Sequence, residues 1–300
     1  MTIYQANPAS KDAFILGEGP VWDAAGNRVL WVDINRGEAL EGVLAGDTVE
    51  LIARNSFDGM VGAVLPAADG SLLVVAQENL IVVSPTGVRA AGPRIVPVGI
   101  ASRTNDAAID PAGRLLIGTL ALDTREGAES LFRVEDDGRL TVIDDDLWLS
   151  NGIAWSADGS LLYTVDTLPQ VVWVRDYDAV TGAFGARREH LRVTGGFPDG
   201  ICMDTAGNLW IAIWGAGEVR RYAEDGTIID TVRVAAPHTS SVAFVGPDRD
   251  LLLVTTARED LSGKQLEEYP DSGRLFTCRV EAVGLPTTAW SGSWAAAALS

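Results

Sequence analysis

Polar turns and short apolar runs alternate along this chain at a nearly constant step. Trp22–Ile34 (WDAAGNRVLWVDI), Pro66–Ala76 (PAADGSLLVVA), Asp110–Leu120 (DPAGRLLIGTL), Ser156–Asp166 (SADGSLLYTVD) and Asp204–Trp214 (DTAGNLWIAIW) align with one another. Each is a polar turn, a glycine and then an apolar strand. The turn glycines Gly26, Gly70, Gly113, Gly159 and Gly207 are 44, 43, 46 and 48 residues apart. A sixth copy, Gly246–Thr256 (GPDRDLLLVTT), has Asp250 in the glycine's place, 43 positions after Gly207. A tight hairpin needs a residue that accepts φ > 0, which glycine supplies. A period of about 40–50 residues with short strands predicts four-stranded propeller blades. Six copies therefore predict an all-β, six-bladed β-propeller whose blades bury their apolar faces against one another. The alternative, a pair of β-sandwiches, does not repeat at a fixed step. Helical periodicity is almost absent, and the polar stretch Arg258–Pro270 is expected to be a surface loop rather than a helical turn. No Pro/Ser-rich linker divides the chain, so residues 1–300 read as one domain, with Ser291–Ser300 expected to fray.

In a ring of six blades, loops at one end of the innermost strands meet at a central channel. Four polar clusters stand in that register: Glu18 in LGEGP, Asn105 in RTND, Asn151 in SNG and Asp199 in FPDG. Each lies eight residues before its repeat's turn glycine. Equal offset in a rotational repeat means equal height in the channel, so these side chains are expected to converge. Alone, a Glu, Asp or Asn beside Gly or Pro is a turn former. The shared offset points instead to a site. Glu18, Asn151 and Asp199 offer hard oxygen donors that suit Ca²⁺, Mg²⁺ or Mn²⁺ and accept Zn²⁺ or Fe²⁺.

The charge balance, −18 from 23 basic and 41 acidic residues, disfavours nucleic acid and anionic membrane surfaces and suits a cation-holding protein. The 47% hydrophobic and 21% charged content is that of a folded, soluble chain. No run reaches the length of a membrane span, and the start of the chain lacks the pattern of a secretory signal. Two cysteines, Cys202 and Cys278, with no CxxC spacing fit a reducing, cytoplasmic setting. No GxSxG elbow, phosphate loop or dinucleotide fingerprint occurs. Cys202 reads as a small buried residue and His190 as solvated. His238, Trp148 and Trp214 lie near the channel clusters.

The motifs LGEGPVWD (Leu16–Asp23), RTNDAAIDPAGRLLIGTL (Arg103–Leu120), SNGIAWSADGSLLYTVDT (Ser150–Thr167), PDGICMDTAGNLWIAIWG (Pro198–Gly215) and TTARE (Thr255–Glu259) together resemble the SMP-30/gluconolactonase/LRE (regucalcin-like) family. Within it the chain looks most like bacterial sugar lactonases acting on xylono-, arabinono-, galactono- or gluconolactone. The resemblance covers nearly the whole chain. It implies one divalent metal ion held by Glu18, Asn151 and Asp199, sugar contacts from Arg103, Asn105 and, by register, Asp123, and hydrolysis of an aldonolactone. The attacking water is expected either from the metal shell or activated by Asp199 as general base, its role as ligand being the larger. Two departures are Ala107, where the family often has the glycine of NDG, and Asp123, where it often has a longer Glu. The implied partner is a small sugar lactone, and the protein is expected to be a monomer or weak homo-oligomer. The competing expectations are a non-enzymatic calcium-binding or interaction propeller, and a metal-dependent esterase or phosphotriesterase of the same architecture.

Overall fold

The computed structural model describes residues Met1–Gly292, and its strands form six sheets arranged as the blades of a β-propeller. Blade one runs from Gly17 to Ser56, blade two from Val61 to Arg94 and blade three from Ser102 to Leu147. Blade four runs from Ser150 to Arg192 and blade five from Phe197 to Arg233. Blade six takes three strands from Thr239–Arg279 and its outermost strand, Asn7–Pro8, from the start of the chain. The preceding strand, Thr2–Gln5, adds in parallel to the edge of blade five. Two adjacent blades are thus stitched by one N-terminal segment, which closes the ring.

The apolar core is distributed as the repeat predicts. It falls into six clusters, each drawing on two neighbouring blades. Leu73, Val75 and Val82 of blade two pack with Leu115 and Ile117 of blade three, and Val172 of blade four packs with Ile211 and Ile213 of blade five. Because each blade's faces are covered only by its neighbours, burial stabilises the ring and not the single sheet.

The turns hold one departure from the sequence reading. Gly70, Gly113, Gly159 and Gly207 have positive φ, but in the first repeat Asn27 takes that conformation (φ 47°) and Gly26 does not. In the sixth copy Arg249 (φ 52°), not Asp250, takes it. Several turns are headed by a buried aspartate: Asp110 Oδ1 accepts the amides of Ala112 and Arg114 at 2.9 and 2.8 Å, and Asp204 Oδ1 those of Ala206 and Asn208 at 2.9 Å each.

A second departure lies in Arg258–Pro270. It contains the one helix among the described residues, Gly263–Glu268, started by a capping box in which Ser262 and Gln265 exchange hydrogen bonds. None of its residues is buried, so the cap rather than packing defines it. No helix among the described residues is long and apolar enough to cross a membrane.

After blade six the chain crosses the ring. Thr205 donates to Val283 at 2.8 Å, and Gly284 to Arg249 at 2.8 Å. Further on, Trp290 exchanges backbone hydrogen bonds with Pro66 and Ala68, and its side chain is buried in the blade two–three cluster. Ser291 donates to Gly113. The segment expected to fray from Ser291 is therefore anchored at its start, and its remainder, 293–300, lies outside the described residues.

Candidate functional site

The inner strands of all six blades carry a register shift at similar height: Glu18/Val21, Val61/Ala63, Thr104/Ala107, Asn151/Ile153, Pro198/Ile201 and Thr239/Ser241. A bulge leaves residues unpaired and bends the strand, which re-aims side chains. Glu18, Asn105, Asn151 and Asp199 sit at or beside these bulges, and all four are buried. The strands crowd the axis closely. A Cβ on Gly62 would lie 2.4 Å from the Asn105 carbonyl oxygen, and one on Gly200 would lie 1.9 Å from Ser241 Oγ.

Hydrogen bonds run directly between blades three and four. Arg103 Nη1 donates to Asn105 Oδ1 (2.6 Å) and to the Thr104 carbonyl (2.9 Å). Asn105 Nδ2 donates to Asn151 Oδ1 and to the Ser150 carbonyl, both at 2.9 Å. Asn151 Nδ2 donates to Thr167 Oγ1 at 3.0 Å, and Thr167 Oγ1 donates to the Pro198 carbonyl at 2.8 Å. This chain fixes the Asn151 amide, with its oxygen turned toward Asn105.

Glu18 and Asp199 belong to the same centre electrostatically. Burial raises the carboxyl pKa of Asp199 well above the usual range, and the charges of Glu18 and Asp106 raise it further against the pull of Arg103. Burial likewise raises Glu18, with Asp106 adding to it, while the Gly19 amide, 2.9 Å from Glu18 Oε2, opposes. Asp199 Oδ1 is buried with no hydrogen-bond partner among the described residues. Burial pulls Arg103 down to about 10, against the charges of Glu259, Glu18 and Asp199.

Two buried carboxylates, one of them raised by the charge of the other and left with an orphaned oxygen, form an electrostatically incomplete group that a cation would complete. Among the described residues no three His, Cys, Asp or Glu side chains gather in a metal-binding group. The donors available here are two carboxylates and the Asn151 amide oxygen, an all-oxygen set that fits a hard divalent ion.

Asp123 shares no hydrogen bond with this cluster among the described residues. Its side chain is 42% exposed and paired with Arg125 Nε at 2.8 Å, and Arg125 in turn donates to Ser102 Oγ at 2.8 Å. Three contributors were not singled out from the sequence. Asp106 lines the channel as a cavity of about 430 Å³ opens below the cluster, and burial raises its pKa to about 6. Thr167 orients Asn151. Glu259 contributes to the electrostatics of Arg103 and accepts a 2.6 Å hydrogen bond from Asn35 Nδ2. Signals for the last two stand in the sequence: Thr167 ends the SNG…TVDT motif, and Glu259 ends the TTARE motif. His238 stacks on Trp214 with ring centroids 4.2 Å apart, and its Nδ1 meets the Glu259 carbonyl at 3.0 Å. His190 is not fully solvated, because it stands half-buried, edge-on to Tyr163 at 5.1 Å. Cys202 is partly rather than fully covered.

Residues 16–258 match the family model described as the SMP-30/Gluconolactonase/LRE-like region. The chain is 35% identical over 277 residues to pentonolactonase XacC of Haloferax volcanii, covering 90% of this chain and 93% of that one. It is 33% identical to a 6-deoxy-6-sulfogluconolactonase of Pseudomonas putida, over 93% of this chain and 96% of the relative. The crystal structure of a calcium-binding protein, regucalcin, from Agrobacterium tumefaciens superposes with a TM-score of 0.90 at 30% identity, over 97% of this chain and 99% of that one. With the six blades and their motifs in matching order, the chain belongs to the SMP-30/gluconolactonase/LRE-like family.

Proposed function

We propose that this protein hydrolyses a sugar lactone, opening the ring ester of a neutral pentono- or hexonolactone to the aldonic acid, with one divalent cation held by Glu18, Asn151 and Asp199. The observation that carries this reading is the buried carboxylate pair with an orphaned Asp199 oxygen, set beside a guanidinium and two amides where the inner strands begin. The names of the relatives, two of them lactonases, support the substrate class.

When bound, the cation would neutralise the two carboxylates and act as a Lewis acid toward the lactone carbonyl. Arg103 is already pinned through Nη1. Its Nε and Nη2 make no hydrogen bond among the described residues, which leaves two donors to hold substrate oxygens and fix the ring for attack. Asn105 is committed through its amide nitrogen to Ser150 and Asn151, so it acts chiefly by positioning Arg103 and Asn151. Water adds to the carbonyl carbon, and the Asp199 carboxylate oxygen that the cation would leave free takes the proton that the water gives up. That proton passes to the ring oxygen as the C–O bond breaks, leaving carboxylic acid and hydroxyl. Close contact with a cation lowers the basicity of Asp199, so holding the ion is its larger role.

The test is a pH-stat assay over pentono- and hexonolactones, with chelated protein and with Ca²⁺, Mg²⁺, Mn²⁺, Zn²⁺ or Fe²⁺ restored singly. Turnover is expected to vanish on chelation and return with at least one ion, and Asn151→Ala is expected to abolish it. Absence of turnover with all five ions, or full turnover by Asp199→Ala, refutes the reading.

A further inference from the structure

The site mouth is walled by residues that the family motifs around Glu18, Asn151 and Asp199 do not include. The starts of the inner strands and the ends of the second strands open on the same face, because the two run antiparallel. That face therefore carries Asn35, just past the Arg28–Asp33 strand of blade one, and Glu259, just past the Leu251–Thr256 strand of blade six.

Glu259 is held from three directions. Its carboxylate accepts from Asn35 Nδ2 at 2.6 Å, across the boundary between blades six and one. Its amide donates to the Ile15 carbonyl at 3.0 Å. Its carbonyl meets His238 Nδ1 at 3.0 Å, and that ring is stacked on Trp214 of blade five. A half-buried carboxylate fixed by the neighbouring blade is a poor candidate for a freely solvated surface charge. Of the three carboxylates whose charges bear on Arg103, Glu259 acts most strongly, ahead of Glu18 and Asp199.

We infer that the charge of Glu259 sets the charge specificity of the pocket: it offsets the one guanidinium of the cluster, so that the mouth admits neutral polyhydroxy lactones and discriminates against lactones bearing a carboxylate or sulfonate. This rests on the lactonase reading and extends it to the class of substrate. With Glu18 and Asp199 taken up by a cation, Arg103 is the group that an anionic substituent would seek. A fixed carboxylate beside it both competes for the guanidinium and repels the substituent. Specificity of this kind is built as much by the repulsive element as by the attractive one. Glu259→Gln keeps the shape and an acceptor for Asn35 while removing the charge.

The experiment compares kcat/KM for a neutral pentono-1,4-lactone and for a glucaro-1,4-lactone, which carries a free carboxylate, in the wild type, Glu259→Gln and Asn35→Ala. A single charge acting across a partly solvated mouth changes such a ratio by about tenfold. The neutral-to-anionic preference is expected to fall by about tenfold in Glu259→Gln, and the shift should shrink with added salt. Asn35→Ala retains the carboxylate and is expected to keep the preference within about threefold. An unchanged ratio in Glu259→Gln overturns the inference and leaves the lactonase reading standing. An equal shift in Asn35→Ala also overturns it, because packing of the wall rather than charge would then be responsible. A wild type that opens neither lactone overturns the lactonase reading, and this inference with it.

Discussion

Asp199→Asn separates the cost of the site from its use. Asp199 is buried within reach of the charges of Glu18 and Asp106, and its Oδ1 has no partner among the described residues. Replacing it with the isosteric amide removes a like charge from the cluster and supplies a donor for Glu18. Relief of a buried unsatisfied acceptor is worth roughly 1–3 kcal/mol. The variant is therefore expected to be more stable than the wild type in chelator, by roughly 2–12 °C in melting temperature. Added cation reverses the order. An ion present at a hundred times its Kd stabilises the wild type by about 2.7 kcal/mol, or roughly 5–10 °C, and the variant lacks the carboxylate that would share in this gain. The assay is thermal unfolding by circular dichroism, with chelator and then with each divalent ion. The expected signature is a crossing, with the variant above the wild type without the ion and below it with the ion. A variant that melts below the wild type in chelator, or that gains as much from every ion, shows that Glu18 and Asp199 do not share a cation.

Two other predictions address the scaffold. Trp290→Ala should cost about 3–5 kcal/mol in chemical unfolding, because the ring is buried between blades two and three at the end of the segment that crosses the channel; a loss below about 0.5 kcal/mol would mean that this segment does not hold the ring. Burial lowers both imidazoles, His190 and His238, below the ordinary 6.5. A lowered histidine leaves folding unaffected above its unfolded pKa and subtracts stability as pH falls from the unfolded pKa to the folded one, so stability should decline from about pH 6.5 downward. NMR titration should place both midpoints below 6.5, and a midpoint at or above it for His190 would contradict its packing on Tyr163.

The blade repeat was legible because hairpin chemistry is local: a turn residue with positive φ and an apolar run beside it occupy one stretch of sequence. That also explains the small errors. Asn27 accepts positive φ nearly as well as Gly26, and the glycine alone did not decide which of the two adopts it. At Gly263–Glu268 the capping-box spacing of Ser262 and Gln265 is the one local mark of a helix, because no apolar periodicity accompanies it. The closure of the ring was not legible. Thr2–Gln5 pairs with residues 228 positions away, and the segment through Trp290 pairs with blade two. Neither contact leaves a local mark. Asp106 was hidden by the strand rule itself: with a period of two, Asn105 and Asp106 belong on opposite faces, and only the bulge between Thr104 and Ala107 brings both to the channel.

The same bulges explain why the polar centre is lopsided. All six inner strands bend at this height, yet only blades one, three, four and five contribute Glu18, Asn105, Asn151 and Asp199. At blade two the unpaired residue is Gly62, where any side chain would collide with the Asn105 backbone. At blade six it is Ser240, whose hydroxyl is spent on the Gly17 carbonyl at 2.6 Å and on Thr255. These two blades bring their neighbours into place and leave their own tips out of the cluster. Blade six then contributes to the mouth from the far end of its second strand, through Glu259, and its inner strand is preceded by His238. Charge at the bottom of the site is thus set by the repeat, while charge at its entrance is set by a loop that the repeat does not constrain.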